Sequence, residues 1–142
     1  MKYELTSNTK TIYGKTLYQI RALKDFGSVR AGDLGGWIEG EGNLSQDGCA
    51  WVSGDAEVYG NASVYGNAQV LDNAVVGSNA RVHGKARVYG NAQVFGNAQV
   101  FGNAAVYGNA TVYDDACVYG NATVYDAMSA TFGLSESFNK EH

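Results

Sequence analysis

The stretch "ARVYGNAQVFGNAQVFGNAAVYGNATVYDDACVYGNATVYD", Ala86 to Asp126, repeats one six-residue phrase with small changes. A valine holds the same place in each phrase, and the series reaches back unbroken: Val52, Val58, Val64, Val70, Val76, Val82, Val88, Val94, Val100, Val106, Val112, Val118 and Val124. A strict period of six is not helical, because 3.6 residues per turn would sweep those valines around the cylinder. It suits a short strand that ends in a sharp corner. Four residues after each valine stands a small residue, Ala56, Ala62, Ala68 and onward to Ala122, with Gly-Asn usually between. Gly and Asn enter the left-handed backbone region most readily, so the pair marks the corner.

Three phrases make a triangular coil of about 18 residues, after which the chain lies one strand spacing, roughly 4.8 Å, above itself. The predicted fold is therefore all-β: a single-stranded left-handed parallel β-helix of hexapeptide repeats, a triangular prism with valine inward and alanine in the inner corner. A low-complexity disordered chain would not keep its apolar positions in phase. Each buried valine contributes about 1.5–3 kcal/mol of gross burial, which offsets much of the ordering entropy of a short coil.

Open ends of parallel sheet invite association, so caps are expected. Residues 1–50 read as the N-terminal cap. Within it "KTIYGKTLYQIRALKDF", Lys10 to Phe26, alternates like a β-hairpin about Tyr13-Gly14-Lys15-Thr16. Ile38 and Leu44 are six apart but Leu44 and Val52 are eight, which predicts an irregular first coil with a two-residue insertion. Residues 51–127 read as the β-helix and 128–142 as a C-terminal tail, with Met128, Phe132, Leu134 and Phe138 available to cover the last coil or a neighbouring subunit.

A chain of 142 residues, 45% hydrophobic and 17% charged, fits one folding unit. Its net charge of −4 argues against long nucleic acid or an anionic membrane as partner. No stretch approaches the roughly 18 apolar residues of a membrane span, and "MKYELTSNTK" has no apolar signal region, so a soluble cytoplasmic protein is expected. Cys49 and Cys117 match no metal or redox spacing and read as unpaired thiols.

Function is expected where the repeat faces outward or breaks. The residues flanking each valine point to solvent, and an interval of 18 sorts them onto three faces. One carries Trp51, Gln69, Arg87, Ala105 and Thr123 beside Ser53, Leu71, Tyr89, Tyr107 and Tyr125. A second carries Glu57, Val75, Gln93 and Thr111 beside Tyr59, Gly77, Phe95 and Tyr113. The third carries Ser63, Arg81, Gln99 and Cys117 beside Tyr65, His83, Phe101 and Tyr119. Each face is expected to carry a ladder of rings, which stiffens a parallel sheet or offers an interface.

The break is "SNARVHGKARVYG", Ser78 to Gly90, which holds Arg81, His83, Lys85 and Arg87, every basic residue of the repeat region. Guanidinium groups near the rings of Tyr89, Phe101 and Tyr107 suit a ligand with phosphate and a base, while solvation or pairing with Asp55 and Asp72 is the plainer alternative. A second basic set, Arg21, Lys24 and Arg30, lies in the cap, within reach of a neighbouring chain.

The block "LYQIRALKDFGSVRAGDLGGWIEGEGNLSQDGCAWV", followed by YGNAxV repeats, resembles the bacterial and prophage hexapeptide-repeat proteins often labelled acyltransferases, over most of residues 10 to 126. Asp25-Phe26, Gly35-Gly36-Trp37 and Asn43-Leu44-Ser45-Gln46 are its distinctive elements. The resemblance implies a homotrimer with ligands in clefts between prisms.

Three function classes follow. A hexapeptide acyltransferase would use acyl-coenzyme A, with His83 as the general base. A non-enzymatic homotrimer would capture a small nucleotide-type ligand on Arg81, His83, Lys85, Arg87, Tyr89, Phe101 and Tyr107, with Arg21 and Lys24 approaching. The prophage resemblance makes that a phage-encoded sponge for a nucleotide immune signal, cyclic nucleotides included, acting in the host cytoplasm without a cofactor. A scaffold would use the aromatic faces to bind protein. Zinc chemistry of the carbonic-anhydrase type needs three histidines where the chain has two, and an ice-binding face needs ranked threonines where only Thr111 and Thr123 point outward. The binding protein is the expected class, with no catalytic residue and no metal.

Overall fold

A computed structural model describes residues 1–126 and 129–130. Strands β1 (Tyr3–Ile12), β2 (Lys15–Ala22) and β3 (Leu34–Ile38) come first, with a 3₁₀ turn at Glu41–Asn43. A two-residue strand then recurs at every sixth residue, from Trp51–Val52 to Thr123–Val124, before a last one at Ser129–Ala130. No α-helix occurs among the described residues. The short strands stack in parallel into a β-solenoid of about five turns with three sheets. Arg87 pairs with Gln69 and Ala105, and Arg81 with Ser63 and Gln99, so the register of 18 sorts the outward residues onto the three expected faces.

Every valine of the column and every corner alanine from Ala56 to Ala122 is fully buried. The backbone closes its hydrogen bonds between coils: the Arg87 N–H donates to the Ala104 carbonyl at 3.0 Å and the Tyr89 N–H to the Val106 carbonyl at 2.9 Å. Those bonds satisfy the ladder while the valines leave water.

The corners differ from expectation in one respect. The left-handed residue is the first of the Gly-Asn pair alone, as at Gly90 (φ 67°), and where glycine is missing Asp72, Ser78, Asp114 or Asp126 takes the conformation. Stacking explains the glycine: a Cβ at Gly90 would lie 2.8 Å from the Gly108 nitrogen of the next coil. Asparagine serves the following position instead. The Asn91 N–H donates to the Gly108 carbonyl at 2.7 Å, and the side chains of Asn61, Asn79 and Asn97 each donate to the next rung, ending on Asp115, at 3.2 Å.

The cap joins the solenoid by reversing strand direction. β1 and β2 form a hairpin with Tyr13 (φ 48°) and Gly14 (φ 75°) in its two-residue turn, and it starts at Tyr3, well before Lys10. β2 pairs antiparallel with β3, which pairs in parallel with Glu57–Val58, so antiparallel strands cover the start of one parallel sheet. The motif Gly35-Gly36 permits this contact. A Cβ at Gly35 would meet the Val52 carbonyl at 2.6 Å and the Trp51 ring at 2.7 Å.

The first coil is the irregular one. Ile38 pairs with Val58 and Leu44 with Val64, an offset of 20, whereas Val52 pairs with Val70, an offset of 18. The extra pair falls between Leu44 and Val52, where the Gln46 side chain accepts from the N–H groups of Lys2 (2.8 Å) and Tyr3 (3.1 Å). Lys2 is buried, and its Nζ donates to the Ala50 carbonyl at 2.7 Å; the Tyr3 hydroxyl donates to the Leu44 carbonyl at 2.6 Å. The N-terminus thus plugs the end of the prism. At the other end Ser129–Ala130 pairs with Thr111–Val112. Met128, Phe132, Leu134 and Phe138 lie outside the described residues.

Candidate functional site

The basic break turns one corner of the third coil. Arg81 and His83 flank Val82 on the Ser63 face, Gly84 and Lys85 form the corner, and Arg87 and Tyr89 flank Val88 on the Trp51 face. The Ala86 N–H donates to the His83 carbonyl at 3.3 Å and sharpens that bend. Arg81, Lys85 and Arg87 are exposed, and their side chains make no ion pair or hydrogen bond among the described residues. Asp72, an expected partner, instead accepts from the Gly90 N–H at 3.0 Å.

The ion pairs among the described residues all draw their cation from the hairpin. Lys10 pairs with Glu57, Lys15 with Glu39 and Arg21 with Glu4. Arg21, expected among the ligand-binding residues, pairs across its own hairpin with Glu4. Lys24 is exposed on the cap, and the Arg30 guanidinium lies 3.5 Å from the carbonyls of Gly27 and Val29.

His83 also departs from expectation. Its ring is stacked between Tyr65 (4.7 Å between centroids, 4° between planes) and Phe101 (5.0 Å, 8°), and Phe101 stacks in turn on Tyr119. Both imidazole faces are covered, and Nε2 is buried without a hydrogen-bond partner. Burial, helped by the charge of Arg81 and opposed by the Gln99 side chain, holds the imidazole below its ordinary 6.5. A general base must reach the proton it removes, and the buried Nε2 does not. His83 and Phe101 are neighbouring rungs of one ring ladder.

Tyr89, Tyr107 and Tyr125 form a second ladder, with centroids 4.9 Å and 5.7 Å apart. Burial, and then its neighbours Tyr89 and Tyr125, push the Tyr107 phenol up. The Glu57 face has no continuous ladder. A Cβ at Gly77 would sit 3.1 Å from both Tyr59 and Phe95, whose rings close over the gap.

A feature of the Trp51 face was not legible in the repeat. The loop between β2 and β3 folds beside the first coils and leaves a cleft of about 490 Å³, bounded by Phe26 and Leu34 from the cap and by Trp51, Asn67, Gln69 and Leu71 from the coils. Asn67 and Gln69 precede Lys85 and Arg87 by 18 residues, so the cleft and half of the basic corner share one face. No group of three or more His, Cys, Asp or Glu able to hold a metal ion occurs among the described residues. None of the helices among those residues is long and apolar enough to cross a membrane.

Residues 86–100 and 98–114 match the family model described as the YdcK β-solenoid repeat. A search of curated proteins finds no match to the chain. The matched residues are the most regular coils, in which two adjoining stretches carry the same strand-and-corner unit. Family model and structure together make this chain a β-solenoid repeat protein.

Proposed function

We propose that the protein is a non-enzymatic binding protein that captures a small anionic, nucleotide-type ligand at the corner formed by Arg81, Lys85 and Arg87. One observation carries this reading: three exposed cations around one bend have no carboxylate partner, while Lys10, Lys15 and Arg21 of the hairpin are all paired. Guanidinium groups that are not already engaged bind phosphate through paired, charge-assisted hydrogen bonds. The rigid coil adds little ordering cost on capture.

In this reading the assembly is a homotrimer of the left-handed hexapeptide type, with a cleft at each subunit boundary and Lys24 of a neighbouring cap facing the corner. The biological role is that of a phage-encoded sponge that removes a cyclic nucleotide immune signal from the host cytoplasm. The acyltransferase alternative is the weaker one, because its base would be His83, whose Nε2 is buried within the ring stack.

The test is calorimetric titration of the purified protein with cyclic dinucleotides, linear nucleotides and acyl-coenzyme A, with light scattering for the subunit count. Binding without turnover is expected, weakened about tenfold or more by Arg81→Ala with Arg87→Ala and weakened again by added salt. Unchanged affinity in that double variant overturns the reading, and consumption of acyl-coenzyme A replaces it with the enzyme.

A further inference from the structure

We propose that the cleft between the cap loop and the Trp51 face is a nucleobase pocket, and that Lys85 and Arg87 at its open end hold the phosphate of the same nucleotide. This rests on the anion-binding role proposed for the basic corner and adds where the rest of the ligand goes.

The cap loop is built to hold its shape. Phe26 and Val29 exchange backbone hydrogen bonds at 3.0 and 2.8 Å, Asp25 accepts from the Ala31 N–H at 2.9 Å, and Asp33 accepts from the Arg30 N–H at 2.9 Å. The loop's inner side is fixed by Phe26, which packs edge-on against Trp51 at 5.2 Å between centroids. A cleft of about 490 Å³ between two such preformed walls lies in the range of small-molecule sites.

Its lining divides by chemistry. Phe26, Leu34 and Leu71 give apolar surface around the buried Trp51 ring, and Leu34 is 53% exposed. Polar groups line it as well, among them Asp33 from the cap and two amides from the coils. The Asn67 Oδ1 accepts from the Cys49 N–H at 3.3 Å while its Nδ2 is unused, and the exposed Gln69 side chain makes no hydrogen bond among the described residues. Side-chain amides offer a donor and an acceptor side by side, which matches the edge of a nucleobase, and flat apolar surface matches its face.

Register then supplies the phosphate site. Lys85 follows Asn67 in the corner column and Arg87 pairs directly with Gln69, so each cation is one strand spacing, about 4.8 Å, from an amide of the cleft floor. Two carboxylates nearby keep their charge, Asp33 in the cleft lining, which accepts from the Arg30 N–H, and Asp72, which accepts from the Gly90 N–H, so the phosphate belongs at Lys85 and Arg87 and the uncharged base in the cleft. The slot and its amides take the base, and the cationic lip one strand spacing further along the Trp51 face takes the phosphate.

The experiment compares the four ribonucleoside 5′-diphosphates with pyrophosphate, by calorimetry, on the intact chain and on three variants. In the native protein at least one nucleotide binds about tenfold or more tightly than pyrophosphate. Leu71→Trp, which fills the slot, and Gln69→Ala, which removes an amide without breaking a contact, erase that margin and leave pyrophosphate binding as it was. Lys85→Ala with Arg87→Ala weakens both probes. Thermal unfolding confirms the fold, and if Leu71→Trp fails to fold, Gln69→Ala is read alone. A nucleotide affinity equal to that of pyrophosphate, or one untouched by Gln69→Ala and Leu71→Trp, overturns the base pocket and leaves anion capture standing. Absence of binding by every probe overturns both.

Discussion

In the solenoid each contact is a copy of the one 18 residues earlier, whereas in the cap hardly any contact occurs twice. Val88 lies between Val70 and Val106 as Val94 lies between Val76 and Val112. Lys2, Tyr3, Gln46 and the pair Gly35-Gly36 have no counterparts. Stability along the coils is accordingly shared out between neighbours, while the cap depends on a few positions that nothing else can replace. The two regions also use charge in opposite ways: the hairpin spends its cations on ion pairs, and the coil leaves Arg81, Lys85 and Arg87 to solvent.

The sharpest way to break the contrast is Gly35→Ala. A methyl there meets the Val52 carbonyl and the Trp51 ring well inside contact distance, and neither can step aside without moving the first coil. We expect a loss of about 3 kcal/mol in urea unfolding, with the steepest loss of amide protection in residues 1–60. Val100→Ala, deep in the regular coils, removes buried methyls but keeps every backbone bond, so about 2 kcal/mol is expected, with protection lost around the third to fifth turns. Equal and global loss of protection in the two variants would remove the distinction between cap and coil.

The smallest effect concerns pH. The His83 imidazole is held below its ordinary value in the folded chain, so below about pH 6.5 the unfolded chain takes up a proton that the folded one resists. Stability from this group is fully present above about pH 6.5 and declines as pH falls. His83→Phe keeps a ring between Tyr65 and Phe101 and should flatten the part of the urea-midpoint profile that falls below about pH 6.5. A profile identical to the native one would show that the stack does not exclude the charged form.

Much of this architecture was legible because it is periodic. The valine column, the alanine corners and the three faces follow from an interval that can be counted, and the two-residue insertion before Val52 appears as the one place where counting fails. The plug at the N-terminus was not legible, because Lys2 and Gln46 meet across 44 residues through contacts that no local pattern announces. His83 illustrates the intermediate case. Its place among Tyr65, Phe101 and Tyr119 was visible in the spacing, yet its titratable nitrogen drew attention to chemistry, when the column it occupies is one of rings. The cleft escaped because one wall comes from a loop outside the repeat.

The offset of 20 in the first coil also bears on how the chain threads itself. Sliding any later segment by six residues lays valine over valine and a left-handed corner over another, so within the repeat a slipped thread resembles a correct one. Only the first coil, with its spare pair of residues and its lysine plug, has a single partner register. That coil is the origin of the coordinate system: it numbers the turns, and so decides which corner receives Arg81, Lys85 and Arg87.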